Sequence, residues 1–528
     1  MVRNENARLM LYIKIGYQVV TMKYSFCFLS LSFLSIALTS CAVGPDFKKQ
    51  TPWYPSKWYP NHNSIHGNVT SQISKNKLDP NWWECFHDPI LSDLERRTIA
   101  NNLDIQMATQ RMIASRAQLI ITGSARFPTL NAMGSYSRAQ HSSKMARRII
   151  NRVENQKPEL GKIVDPKDID IPTFNEWADA LDSSWEADIW GRVRRQYEAG
   201  KALWQVSEEE RRDILTLQLA EVANDYITLR GLQTQLDIVR KNAKIAQDSL
   251  DLAQKRYTGG LVTELDVHDA RAQLEQTNAQ IPQLEEQVIN YMNALALLMG
   301  EPPRALDQTL SQQKPIPPVP PQIPVGLPSE LLQRRPDVRE AEAALHVATA
   351  EVGVAEGDFY PKVTVDAKMG FQSLSIKDLG FWSARAWNVG PTISIPIFEG
   401  GKLKGQLQLK KAQQKEAALA YRKTVLRAWQ EVDNALSAYQ AEQLRNDKLR
   451  ETVNSNQQSV FLAQEQYREG LQTFINVLDA ERRLLQSQDD LVKSTTRIST
   501  NLVQLYKALG GGWETTFPEH TESLQKKS

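Results

Sequence analysis

The sequence predicts a mostly α chain in which long coiled-coil hairpins are joined to strands of a membrane β-barrel. Three observations carry that expectation: a heptad rhythm over a long proline-free stretch, four segments that alternate with period two, and a second half that repeats the first. Composition sets the bounds. The chain has 528 residues with 25 Gly and 25 Pro, and 41% is hydrophobic, which excludes disordered and collagen-like classes. Net charge is +2, from 63 basic and 61 acidic residues, so there is no nucleic-acid footprint. Beyond the N-terminus no apolar run reaches the ~18 residues of a membrane helix. If the mature chain crosses a bilayer, it must do so with strands.

The N-terminus reads as an address. Residues 24–38 (YSFCFLSLSFLSIAL) have the length and apolarity of a signal core, preceded by Lys23. Residues 1–40 are therefore expected to be a signal peptide whose true start is Met22. Leu38-Thr39-Ser40-Cys41 follows and resembles a bacterial lipobox. That resemblance implies a diacylglycerol on the Cys41 thiol and an N-acyl chain such as palmitate. Ala42 at the next position implies sorting to the outer membrane. Several acyl chains anchor stably where one does not. With Cys27 removed and Cys41 modified, Cys85 has no partner, and a disulfide framework is excluded.

The chain is written twice. AQKRYTGGLVTELDVHDAR (253–271) matches AQEQYREGLQTFINVLDAE (463–481) at constant offset, pairing Tyr257 with Tyr467, Gly260 with Gly470, Leu261 with Leu471, Thr263 with Thr473 and Asp269 with Asp479. An earlier block, 103–130, parallels 336–363 and pairs Asp104 with Asp337 and Pro128 with Pro361. The two offsets differ, so the first half carries an insertion, expected at 141–177. Each half reads helix, strand, loop, strand, long helix, tight turn, helix. The expected divisions are a lipidated N-terminal segment (41–85), a first repeat (86–300), a Pro-rich linker (301–328), a second repeat (329–510) and a tail (511–528).

From 191 to about 257 there is no Pro, and Leu215, Leu219, Val222, Tyr226 and Leu229 begin a seam that continues to Tyr257. Roughly 66 residues rising ~1.5 Å each make a helix near ~100 Å, too long for a compact globule. A helix over about 264–299 returns along it, with Pro282 expected to kink it. Together with a helix at about 90–126, this return matches one long helix, so the two short helices are expected to stack end to end.

Four segments alternate with period two: Leu130–Tyr136, Leu181–Ile189, Val363–Phe371 and Val389–Ile397. Each has about the 9–11 residues of a tilted membrane strand. Aromatic residues near their ends, among them Trp177, Trp190, Tyr360 and Phe398, suit an interfacial girdle. Four strands leave two open edges, which hydrocarbon does not tolerate, and the smallest membrane barrels have about 8 strands. The chain must therefore oligomerise, and physics alone allows a dimer or a trimer.

These residues resemble the TolC-like outer membrane factors, in particular their OprM-like (NodT-type) lipoprotein branch. The resemblance rests on Cys41-Ala42-Val43-Gly44-Pro45-Asp46-Phe47, on Trp82-Trp83 with Asp88-Pro89, on Arg334-Arg335-Pro336-Asp337-Val338, and on Ile395-Pro396-Ile397-Phe398-Glu399-Gly400-Gly401. It implies a homotrimer with a 12-strand outer-membrane β-barrel and a helical periplasmic α-barrel. The implied function is the exit duct of a tripartite efflux pump, conducting small molecules passively from periplasm to exterior. The implied partners are a periplasmic adaptor (membrane fusion) protein, an inner-membrane resistance-nodulation-division pump and outer-membrane lipids, with no cofactor beyond the acyl chains on Cys41. By the same resemblance the tip turns Tyr257–Leu265 and Tyr467–Ile475 close the periplasmic entrance and touch the adaptor. Gly260 and Gly470 suit a sign change at the turn, and Thr263 and Thr473 suit helix capping. Ile475 and Asp479 match the family's aperture rings, with Asp269 the repeat equivalent of Asp479. Three carboxylates on a narrow axis would attract cations and repel anions.

Other functions fare worse. There is no GxxxxGK, GxGxxG, HExxH or CxxC, so no enzyme is expected. His62 and His66 sit in a Pro/Asn/Gly-rich stretch without a third ligand, so no metal is expected. An adaptor-type lipoprotein without a pore would not need four strands. A duct for type I protein secretion remains the alternative within the family.

Overall fold

The computed structural model describes residues 42–49, 72–74, 76, 78–140, 144, 148, 172–326 and 328–518. The signal segment, Cys41, His62, His66 and most of the expected insertion lie outside the described residues. In chain order the elements are β1 (Gln72–Ser74), α1 (Pro89–Asn101), α2 (Leu103–Ser124), β2 (Thr129–Ala139), β3 (Phe174–Glu186), α3 (Arg192–Thr258), α4 (Glu264–Asn278) and α5 (Gln280–Leu298). There follow α6 (Asp307–Leu310), β4 (Gln322–Pro324), α7 (Pro328–Arg334), α8 (Pro336–Gly357), β5 (Lys362–Ser373), β6 (Arg385–Ser394), α9 (Lys402–Arg468) and α10 (Phe474–Ala508). Two compact units are present: residues to 47 with 117–201 and 347–414, and residues 48–116 with 202–346 and 415 onward.

The first unit holds an antiparallel sheet in the order β2-β3-β5-β6. Its register sorts the period-two pattern into two faces. Ala132, Leu181, Met369 and Trp387 form one cross-strand row, and Leu130, Ser183, Ala367 and Val389 the next. Between them lies the row Asn131, Asp182, Lys368, Asn388, on the opposite face. The polar face is tied across strands: Ser184 Oγ donates to Asp366 Oδ1 at 2.7 Å and Asn131 Nδ2 to Asp182 Oδ2 at 3.2 Å. The apolar face is bare in a single chain, with Leu130 and Trp387 each 71% exposed. Among the described residues no helix is long and apolar enough to cross a membrane.

Two strands differ from expectation. β3 starts at Phe174, so Trp177 stands inside the ladder opposite Tyr136 rather than at its end, and the insertion stops before 174. The Trp177 and Tyr136 rings lie 4.4 Å apart, a cross-strand aromatic contact that extends the pairing. β3 also ends at Glu186, short of Ile189, because Asp188 turns to accept from the Val193 and Arg194 amides and caps α3. β6 ends at Ser394, short of Ile395 and Ile397. Pro396 cannot donate to a ladder, and Gly400 and Gly401 at φ 59° and 89° turn the chain into α9.

The long helices behave as the heptads require. α3 and α9 have 67 residues each and start and stop at equivalent points of the repeat, Arg192 with Lys402 and Thr258 with Arg468. The returning helix breaks at Ala279, where Pro282 removes the donor for the Asn278 carbonyl, while its repeat mate α10 runs unbroken. The helix expected at 90–126 is two helices. Asn102 interrupts it because its side chain accepts from the Asp104 and Ile105 amides at 2.9 and 3.1 Å, starting α2 afresh.

That break is also the end-to-end joint inferred from sequence. Asn102 Nδ2 donates to the Leu298 carbonyl at 2.7 Å, so the end of α5 meets the start of α2. In the second repeat Arg335 takes the place of Asn102, and its Nη1 donates to the Ala508 carbonyl at 2.8 Å. Both joints free a turn through glycine: Gly300 at φ 67° and Gly510 at φ 70°. Arg335 is further held by Asp337 and Glu431, each at 2.7 Å. Around the joints lies the main core, with Trp82 stacked 5.2 Å from Tyr506, and Trp83, Phe86, Leu219 and Trp513 beside them. Cys85 borders this core as a free thiol, pushed up to about 12 by burial. The Pro-rich linker holds the short helix α6 and then the strand β4, which pairs parallel with β1, a pairing the sequence did not signal.

Arg335→Ala removes a buried cation from two carboxylates and leaves the Ala508 carbonyl unpaired. The expected loss is about 3 kcal/mol in reversible unfolding of the detergent-solubilised protein, with Arg335→Lys losing less. A loss below about 1 kcal/mol for Ala would show that the joint is held by packing alone.

Candidate functional site

The two repeated turns are built alike. At the end of α3, Gly260 N–H donates to the Tyr257 carbonyl and Leu261 N–H to the Arg256 carbonyl, both at 2.9 Å. At the end of α9, Gly470 and Leu471 do the same to Tyr467 and Gln466, at 3.0 and 2.9 Å. This is a Schellman closure, and it needs a left-handed residue, which Gly260 and Gly470 supply at φ 71° and 79°. Thr263 and Thr473 sit at the N-caps of α4 and α10 as expected, but their hydroxyls make no capping bond. Their backbone carbonyls take the Asp266 and Asn476 amides instead, each at 3.2 Å.

The equivalent residues of the two turns do not share one environment. Tyr467 is 1% exposed and packs 5.1 Å from the Phe474 ring, whereas Tyr257 is 39% exposed. Tyr467 joins Ala253, Val267, Ala270, Phe474, Val477 and Leu478 in a small apolar cluster that ties the turns together. Its hydroxyl donates to Asp266 Oδ2 at 3.4 Å, and burial first, then the Asp266 charge, pushes its pKa up to about 12. Leu261 and Leu471 point outward, 69% and 70% exposed.

Ile475, Asp479 and Arg483 follow one another at single-turn steps on an exposed face of α10. Asp479 Oδ2 pairs with Arg483 Nη2 at 2.7 Å, so the carboxylate carries its own counter-ion within the chain. Asp269 is half-buried beside Ala270 and does not share that exposed face. Cys41 is outside the described residues.

Sequence reasoning missed the groups that hold the turns together. Arg256 donates to the carbonyls of Tyr467 and, at 2.8 Å, Arg468, with its guanidinium 4.8 Å over the Tyr467 ring. Farther along α3, Ser249 Oγ donates to Glu481 Oε1 at 2.6 Å, and Gln464 Nε2 donates to the same oxygen at 3.1 Å. Burial raises the Glu481 pKa, against the lowering effect of those two bonds. A polar residue recurring at heptad spacing along α3 was the available signal.

Comparison with known proteins places this geometry among relatives. A family model described as outer membrane efflux protein matches residues 94–301 and 327–511. The chain is similar to the toluene efflux pump outer membrane protein TtgC of Pseudomonas putida, 31% identical over 493 residues covering 92% of this chain and 95% of that protein. It is also similar to the antibiotic efflux pump outer membrane protein ArpC of Pseudomonas putida, 30% identical over 491 residues, with 92% and 95% covered. Among solved structures, the outer-membrane channel OprN superposes with a TM-score of 0.80 at 30% identity, over 90% of this chain and all of that one (100%).

The raised Glu481 pKa means that the folded state holds the proton more tightly than the unfolded chain does. Its stabilising effect is complete below the unfolded carboxyl range and is lost as pH rises through the folded value. Glu481→Gln is therefore expected to raise the thermal unfolding midpoint above neutral pH by a few degrees, and to gain nothing at acid pH. An equal shift at both pH values would remove titration as the cause.

Proposed function

The chain belongs to the outer membrane efflux protein family and is an outer-membrane efflux channel; from that premise we propose that three copies together form the exit duct of a tripartite pump. The sheet is the observation that carries this reading. β2 and β6 have no further strand beside them among the described residues, and one face of the sheet exposes a run of large apolar side chains, among them Leu130, Leu181, Met369, Trp387 and Val389. An open sheet of this kind has no place in hydrocarbon until β6 of one copy pairs with β2 of the next. Three copies give 12 strands, a barrel wide enough for a wet lumen lined by the Asn131, Asp182, Lys368, Asn388 row.

Transport is passive in this reading. The chain carries no nucleotide-binding motif, so the driving force comes from an inner-membrane pump of the resistance-nodulation-division class through a periplasmic adaptor that meets the tip turns. The relatives TtgC and ArpC are named for toluene and antibiotic efflux, which favours small molecules over secreted proteins as cargo. Acyl chains on Cys41 tie the duct to the membrane, and Ile475 with Asp479 narrows its entrance.

At that entrance the pairing of Asp479 with Arg483 sets the expected outcome. Asp479→Ala leaves three unpaired Arg483 cations near the aperture. In planar bilayers the native protein should give discrete cation-selective openings, and the variant should lower the cation-over-anion permeability ratio by roughly two-fold or more. Unchanged selectivity would take Asp479 off the aperture. Silence of the inserted native protein at every voltage would defeat the duct reading.

A further inference from the structure

On the apolar face of the sheet, both edge strands end in arginine. Arg385, Trp387 and Val389 occupy successive positions of that face on β6, and on β2 it runs from Leu130 through Tyr136 to Arg138. The helices α2, α3, α8 and α9 all join the sheet at its other end, so both arginines stand at the end remote from them.

The two ends treat their cations differently. At the helix end Arg192 pairs with Glu186 at 2.6 Å, Arg194 with Asp188 at 3.2 Å and Lys362 with Asp358 at 3.2 Å. At the remote end Arg138 and Arg385 are exposed, and neither pairs with a carboxylate among the described residues. Asp179 shares the row of Arg385, but Phe371 stands between them and donates its amide to Asp179 Oδ1 at 3.3 Å. Arg385 is nonetheless held in place. Its Nη1 donates to the Trp382 carbonyl at 2.8 Å, and the guanidinium lies 4.8 Å over the Trp382 ring. The rest of the planar fork matches the oxygens of a phosphate.

Beside the arginines, on the side toward the helices, lies a groove of about 320 Å³ lined chiefly by Leu130, Leu181, Met369, Trp387 and Val389. In hydrocarbon such a groove suits an acyl chain, and a cation just above it, among interfacial aromatic rings, suits a charged headgroup. The two arginines occupy opposite edges of one chain's sheet. Barrel closure sets β6 of one copy antiparallel to β2 of the next, and period-two alternation keeps both arginines on the outward face. The cationic pair is therefore complete only between copies.

We propose that each seam between copies binds a phosphorylated glycolipid of the outer leaflet. One phosphate lies between Arg385 of one copy and Arg138 of the next, and an acyl chain runs along Trp387 and Val389. The proposal rests on the exit-duct reading above, which puts the helices on the periplasmic side and the remote end of the sheet in the outer leaflet. Two guanidinium groups without carboxylates call for net negative charge, which a zwitterionic headgroup does not supply.

Native mass spectrometry of the full-length protein in detergent, supplied with a bisphosphorylated acyl glycolipid, tests it. The oligomer should retain one glycolipid per seam, and should retain the same glycolipid several-fold less once its phosphates are removed. Arg385→Gln and Arg138→Gln should each weaken retention several-fold, Arg385→Lys less so, with conductance in planar bilayers unchanged. The proposal fails if the dephosphorylated glycolipid is retained equally, since the groove then holds any acyl chain. It also fails if both glutamine variants bind as native, or if inorganic phosphate at matched concentration displaces the glycolipid. An oligomer that conducts but retains no glycolipid overturns this proposal alone. A protein that stays monomeric on a gel overturns the exit-duct reading beneath it.

Discussion

A helix end cannot be left bare inside a core, and this requirement organises the helical part of the protein. A heptad helix of 67 residues needs a partner along its whole seam. The chain assembles that partner from short helices, and each joint frees backbone carbonyls that must be answered. Asn102 answers Leu298, and Arg335 answers Ala508. The two solutions differ chemically, a neutral amide in one repeat and a carboxylate-held guanidinium in the other, yet they occupy the same place in the repeat. Duplication preserved the geometric problem and let its chemistry diverge.

The same divergence appears at the turns. Both close through a left-handed glycine and the same pair of backbone bonds, because a tight reversal between antiparallel helices admits few alternatives. The side chains then separate in role. Tyr467 is buried against Phe474 and covered by Arg256, whereas Tyr257 stays half in solvent.

In the sheet, the governing constraint is the medium. The cross-strand rows place Leu181, Met369 and Trp387 on one face and Asp182 and Lys368 on the other, a division that is stable only between lipid and water. Gly370 sits where a Cβ would meet the backbone of Asp179 and Ala180, so the strands approach closely at that point. Edge strands this exposed would be an aggregation hazard in a monomer, and closure with other copies removes the hazard and makes the pore at once.

Much of this was legible in the residues. The sequence by itself determined the repeat, the heptad helices, the glycines of the turns, the period-two strands and the kink at Pro282, because each depends on local periodicity or on one residue's backbone freedom. It misplaced what depends on distant partners. Trp177 became ladder because Tyr136 lies opposite, and Asn102 broke a helix because the Leu298 carbonyl was waiting for a donor. Arg256, Asp266 and Glu481 were invisible as site residues, since charged side chains on a long helix usually face solvent. Only tertiary structure decided which of them would be covered, for burial is set by what packs from elsewhere in the chain.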